Sequence, residues 1–224
     1  MDPIVLSIGF LLISLLVGFS LHEAGHAYAA THLGDDTARS QGRLTINPIP
    51  HLDLFGSVLL PGILIAAQWP SIAAGNPPLI FAAAKPVPVN PMNFKRPLAD
   101  FAFVAAAGPM VNIFLAVLGA LALNFVSVGT LMLQFLNTFI YINLVLAFFN
   151  LLPVPPLDGS KIVAAFLPRP LAWRLVSLDR IGFLLIIGLI VLGQVTGFSL
   201  ISLWIGLGIE ATLPLLSNLA NLIA

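Results

Sequence analysis

His22-Glu23-Ala24-Gly25-His26 closes an uncharged, largely apolar run over residues 4–21, and the reading of that junction decides the fold. As a helix, the 18 residues of that run extend about 27 Å, close to the hydrocarbon thickness of a bilayer. Residues four apart share a helix face, so His22 and His26 offer two imidazoles to one Zn²⁺ while Glu23 lies beside them to handle a water proton. An ionisable group inside a spanning segment is costly and marks function by default, and here three fall within five positions.

Composition agrees with the junction. Of 224 residues, 59% are hydrophobic and 8% charged, and the mean hydropathy is +1.05, as expected of an integral membrane protein surrounded by a lipid bilayer. Nine basic and nine acidic residues cancel, and no basic block is interleaved with aromatics, which argues against nucleic acid as a partner. The chain has no cysteine, so a metal has only His and carboxylate to hold it. Neutral imidazoles with a carboxylate suit Zn²⁺.

Ala27-Tyr28-Ala29 has the small-residue pattern of a signal-peptide cleavage site. Met1-Asp2-Pro3 lacks a positive n-region, however, and the run is longer than a usual h-region, so a retained transmembrane helix is expected. Residues 98–126 and 130–152 are each long enough to cross, and the short Ser127-Val128-Gly129 link predicts an antiparallel pair. Residues 181–195 and 200–223 predict a second hairpin turned by Thr196-Gly197, with Glu210 and Pro214 bending the latter segment or taking it out of the membrane midway.

Residues 55–84 are harder, because Pro61-Gly62, Pro70 and Asn76-Pro77-Pro78 break the apolar stretches into pieces too short for two ordinary crossings. If one ion joins the first motif to Leu157-Asp158-Gly159, the loops after both helices lie on one side, and 55–84 must enter and leave by the same face. With that path Arg39, Arg43, Lys85, Lys95, Arg96, Lys161, Arg169, Arg174 and Arg180 all fall on one side, whereas a single crossing splits them two against seven. The positive-inside tendency makes that side cytoplasmic and places the N-terminus outside, in the cell membrane.

Two stretches on that side alternate in strand fashion: Arg43-Leu44-Thr45-Ile46-Asn47-Pro48 and Lys85-Pro86-Val87-Pro88-Val89-Asn90-Pro91. They suit edge strands, to which a substrate strand can add, or plain irregular connections. The expected architecture is therefore an all-α polytopic membrane protein with five or six transmembrane helices, a re-entrant segment and small β-strand elements on the cytoplasmic side. It forms one domain over 1–224, with a catalytic core at 4–161 and a C-terminal helical hairpin at 181–224.

A catalytic zinc takes three protein ligands and leaves one position open. His32 is ten residues beyond His22, about 15 Å along one helix, and cannot reach the same ion. His51, beside Pro50 in a polar loop, is expected to be solvated or interfacial. Asp158 follows a proline cluster that frees a carboxylate near the membrane face, and can equally be the N-cap of a short helix from Gly159.

Three segments then act together. His22-Glu23-Ala24-Gly25-His26, Ala107-Gly108-Pro109-Met110-Val111-Asn112 and Asn150-Leu151-Leu152-Pro153-Val154-Pro155-Pro156-Leu157-Asp158-Gly159 resemble the site-2 protease family of intramembrane zinc metalloproteases, in order and in membrane context. The resemblance implies that His22, His26 and Asp158 bind Zn²⁺ and that Glu23 is general base and acid in hydrolysis of a peptide bond of a transmembrane protein substrate. No PDZ-like insertion stands between the catalytic helices, as in compact bacterial or archaeal members. Asn150 and Asn112 are membrane-embedded amides suited to hydrogen-bonding substrate backbone or a developing oxyanion, or to interhelical packing. A non-enzymatic metal carrier or channel is the alternative from a different class, and Glu23 discriminates the two.

Overall fold

The computed structural model describes residues 3–74 and 84–221. The apolar run and the motif form one unbroken helix, α1 (Pro3–His32). Thirty residues extend about 45 Å, so the motif sits well inside the helix rather than at its fraying end. After the short α2 (Thr37–Ser40), a π-helical turn (Leu54–Leu59) leads directly into α3 (Leu60–Ala73). The expected breaks at Pro61-Gly62 and Pro70 do not occur. Pro61 falls in the first turn of α3, where an absent N–H costs little, and the preceding π turn absorbs the register change. Asp53 caps this helix by accepting from the Gly56 amide at 2.6 Å, and Ser57 Oγ reciprocates by accepting from the Asp53 amide at 3.0 Å. Asn76-Pro77-Pro78 lies outside the described residues.

The next two helices pair as expected. α4 (Pro97–Ala122) ends in a 3₁₀ turn, and Thr130 caps α5 (Leu131–Asn150) by accepting from the Leu133 amide. Gly18 meets Asn112 and His26 meets Val104, so α4 runs antiparallel to α1. Asn112 meets Asn143 and Gly119 meets Ile140, so α5 runs antiparallel to α4. The end of α1, the start of α4 and the end of α5 therefore share one end of the bundle. Small residues such as Ala24, Ala27, Ala105 and Ala116 line the crossings, which lets the three backbones approach closely without any solvent-driven force between them.

Beyond α5 the chain bends through its prolines into α6 (Asp158–Ala164) and α7 (Arg169–Ser177), then α8 (Asp179–Thr196) and α9 (Leu200–Asn221). The two last helices meet near their turn, where Ile201 joins Ile186 and Ile190 in one cluster, and each also packs on other elements. α9 lies along α5 and α4, with Trp204 Nε1 donating to the Phe148 carbonyl at 2.9 Å and Asn124 Nδ2 to the Ala220 carbonyl at 2.7 Å. α8 instead packs Ile186 on Leu152 and Leu157 of the proline bend. Glu210 is exposed and Pro214 is carried inside α9 without ending it. Among the described residues, six helices are long and apolar enough to cross a membrane, with Leu54–Ala73 among them.

No strand forms among the described residues, which corrects the expected β elements. Thr45-Ile46-Asn47 is turned by its own side chains: Thr45 Oγ1 accepts from the Asn47 amide and Asn47 Oδ1 from the Ile49 amide, the local bonding that competes with a ladder. Residues 84–90 are an extended strap whose backbone bonds go elsewhere. The Lys85 amide donates to the His51 carbonyl at 2.9 Å, Arg43 Nη2 to the Lys85 carbonyl, and the Asn90 amide to Asp35 at 2.7 Å. His51 is accordingly buried at 1% exposure, its Nε2 bonded to the Thr45 carbonyl, and not solvated as its loop setting suggested. The His51–Lys85 bond also brings together the two feet of the segment that contains α3.

Asp35 anchors the strap to the end of α1. It is buried and accepts from the amides of Thr37 and Asn90, from Thr37 Oγ1 and from Asn93 Nδ2. Burial alone pushes its carboxyl pKa up, but the donors of Thr37, Asn90 and Asn93 outweigh that and hold it below the ordinary value. A lowered folded pKa stabilises the fold above the unfolded value of about 3.9, and that contribution is lost as pH falls through the folded value. Asp35→Asn, which turns an NH₂ toward these donors, is expected to cost about 1.5–3 kcal/mol and to flatten the acid limb of the stability curve. Hydrogen exchange at amides 85–93, faster in the variant, checks it; unchanged protection contradicts the anchor.

Candidate metal centre

Each imidazole is oriented from behind. His22 Nδ1 lies 2.6 Å from Asn112 Oδ1 and His26 Nδ1 lies 2.8 Å from the Val104 carbonyl. Both partners are acceptors, so each Nδ1 carries the proton and each Nε2 presents a lone pair. The two Nε2 atoms face one another at 3.0 Å, and Asp158 Oδ2 stands 3.2 and 3.3 Å from them. Between neutral imidazoles so arranged, the two lone pairs and the carboxylate oxygen repel one another, and a shared cation relieves that.

Other features fit a cation of zinc's size. Ligand bonds of about 2.0–2.1 Å in a tetrahedron put donor atoms about 3.3–3.4 Å apart, near the separations seen. Asp158 Oδ2 is buried and has no hydrogen-bond donor. On the opposite wall, a Cβ at Gly108 would lie 2.5 Å from His26 Nε2 and 2.6 Å from His22 Nε2, so only glycine leaves that space open. The Glu23 carboxylate comes within 4.8 Å of both imidazole donors.

Asp158 arrives there because the chain folds back after α5. Gly159 sits against the Leu151 and Leu152 carbonyls, where a Cβ would be 2.2 and 2.4 Å away, and Lys161 Nζ bonds the Pro156 carbonyl and pairs with Asp179 Oδ2 at 3.2 Å. Asp158 opens α6, and the residue flanking the helix is Leu157, so the carboxylate is aimed at the histidines and does not cap. His32 is exposed at the end of α1 and takes no part. Asn112 is fully buried, its Nδ2 donating to the Gly18 carbonyl and to Asn143 Oδ1, whereas Asn150 is half-buried, bonds the Leu146 carbonyl and borders an open cavity.

That cavity, about 1920 Å³ and mainly apolar, extends between α1, α5 and α8 and takes in His22, Glu23, His26 and Asp158. The strap closes one side of it. Pro86 and Pro88 carry no N–H, so Val87 supplies the single amide between them, and that amide donates to Glu23 Oε2 at 2.7 Å. Sequence reasoning did not single out this amide, the Val104 carbonyl, Gly108 as a space-maker, or Asn143. Asn143 had a signal, a fully polar side chain amid an apolar helix; the backbone groups had none.

A polytopic helical bundle in which two imidazoles and a carboxylate converge beside a second carboxylate has the donor set of a membrane metallohydrolase. Residues 126–192 match peptidase family M50. The chain is 40% identical over 191 residues to "Putative zinc metalloprotease YwhC" of Bacillus subtilis, covering 81% of this chain and 80% of that protein. It is 27% identical over 194 residues to "Putative zinc metalloprotease Rip2" of Mycolicibacterium smegmatis, covering 79% and 64%. No solved structure matches it. The chain belongs to peptidase family M50, the site-2 proteases, and is a zinc-dependent membrane metalloprotease.

Gly108→Ala should weaken zinc binding at least about tenfold, because the added methyl meets both Nε2 atoms and α4 cannot retreat without losing the Val104 and Asn112 bonds. Zinc content of purified protein after dialysis against a graded chelator checks this; full retention at unchanged affinity contradicts the assigned wall.

Proposed function

We propose that the protein is an intramembrane endopeptidase that hydrolyses a peptide bond in or near a transmembrane segment of a membrane protein substrate. His22, His26 and Asp158 hold Zn²⁺, and Glu23 is general base and acid. The observation that carries the reading is the placement of Asp158 Oδ2 at 3.2 and 3.3 Å from two imidazole nitrogens contributed by a helix far away in sequence.

When bound, the metal polarises the scissile carbonyl and acidifies a water. The chain's own groups do the rest. Asn112 and the Val104 carbonyl keep both ligating nitrogens free of protons. Glu23 takes the water proton and later returns it to the leaving amine, and the Val87 amide on Oε2 leaves Oε1 to carry that proton. The apolar cavity between α1, α5 and α8 suits an entering hydrophobic segment, and Asn150 on its border is placed to bond an opened substrate backbone. Asn112, fully buried with both its amide protons spent inside, orients His22 and is not placed to meet substrate.

The topology supports the same reading. Eight of the nine basic residues lie outside the six long helices, and Arg180 is the second residue of α8. They cluster where α1 ends, α4 starts and α5 ends, so the centre opens toward the cytoplasm and the N-terminus is outside. The adjacency of His51 and Lys85 supports a re-entrant path for the segment between them.

Glu23→Gln should keep its zinc and lose cleavage of transmembrane peptides in detergent by at least about 100-fold. Retained cleavage would overturn the assignment of Glu23. Metal transport into vesicles that survives the substitution would favour a carrier.

A further inference from the structure

We propose that Asn143, which touches neither the metal ligands nor the cavity, is a positioning residue for the zinc centre: it fixes which way the Asn112 amide points, and through it which nitrogen of His22 carries the proton. The inference rests on the zinc-protease reading above.

The two histidines are held by different kinds of acceptor. His26 Nδ1 faces a backbone carbonyl, that of Val104, which cannot reverse. His22 Nδ1 faces a side-chain amide, and an amide can turn over. Turned over, Asn112 would present its NH₂ to Nδ1, which would then have to accept, and the imidazole proton would move to Nε2. That is the nitrogen that faces Asp158 at 3.2 Å, and a protonated Nε2 cannot ligate.

Two acceptors prevent the turn. Asn112 Nδ2 donates to the Gly18 carbonyl at 3.1 Å and to Asn143 Oδ1 at 3.0 Å, which uses both its protons and leaves only Oδ1 for His22. Asn143 is itself fixed, because its Nδ2 donates to the Phe139 carbonyl at 2.8 Å in its own helix, so its oxygen must face Asn112. Both amides are fully buried. Gly18 permits the approach: a Cβ there would stand 3.1 Å from Asn143 Oδ1 and 2.7 Å from Leu146 Cδ1.

The full-length protein in detergent, titrated with zinc against a competing chelator, tests the proposal, with thermal unfolding measured alongside. Asn143→Leu keeps the bulk and removes the acceptor, and should weaken zinc about 10- to 100-fold. Asn143→Asp keeps an oxygen toward Asn112 and should stay within about threefold of the parent. Equal zinc affinity in Asn143→Leu, or equal weakening in both variants in step with lost thermal stability, would reduce Asn143 to a packing bond and overturn the proposal. Should Asn143→Leu not fold, nitrogen-15 spectra of His22 in the metal-free parent decide instead: a proton on Nδ1 supports the relay, and one on Nε2 overturns it. A parent protein that binds no zinc overturns the underlying reading, and that result is obtained before any variant is compared.

Discussion

The position of two protons governs this molecule. Because Nδ1 of His22 and of His26 each give their hydrogen to an oxygen behind them, two lone pairs are left pointing at one another at 3.0 Å, with a buried, undonated carboxylate oxygen beside them. In a low-dielectric interior such a cluster of acceptors is unfavourable by itself and becomes favourable around a divalent cation. The bundle supplies this arrangement from three helices and a proline bend, so metal binding and tertiary packing are coupled.

The same coupling explains the close helix crossings. Gly108 faces both imidazoles, so α1 and α4 approach closely at the site with no side chain between them. Apolar packing cannot drive association inside lipid, so small residues at the crossings and buried amides between the helices carry the approach. The strap adds polar control at the other side of the site. Pro86 and Pro88 have no amide N–H, the Val87 amide between them is bonded to Glu23, and the strap's far end is tied to Asp35 at the close of α1. Glu23 is thus held by a segment that is itself anchored to the end of the helix bearing Glu23.

Much of this was legible in the sequence. The apolar run joined to His22-Glu23-Ala24-Gly25-His26 gave both the first helix and two donors, since helical periodicity fixes which residues share a face. The antiparallel α4–α5 pair followed from length and a short turn. Asp158 was undecided between ligand and cap on local grounds, because a carboxylate after a proline cluster suits either, and only tertiary contact separates them. The strand expectations failed where the Thr45 and Asn47 side chains accepted from the backbone amides two residues on, and where the strap's donors went to Asp35, Glu23 and His51. Proline at 61 and 70 was overvalued as a breaker, since one lies in a first helical turn and the other near a helix end. The Val104 carbonyl and Val87 amide are backbone groups, and side-chain chemistry cannot announce them.

X-ray absorption at the zinc edge of the purified protein tests the centre most directly. The account predicts one zinc per chain with a four-coordinate shell of two imidazole nitrogens and oxygen at about 2.0–2.1 Å. In Asp158→Asn the histidine signal should persist while the oxygen shell changes. A six-coordinate, all-oxygen shell without imidazole scattering would contradict the proposed centre.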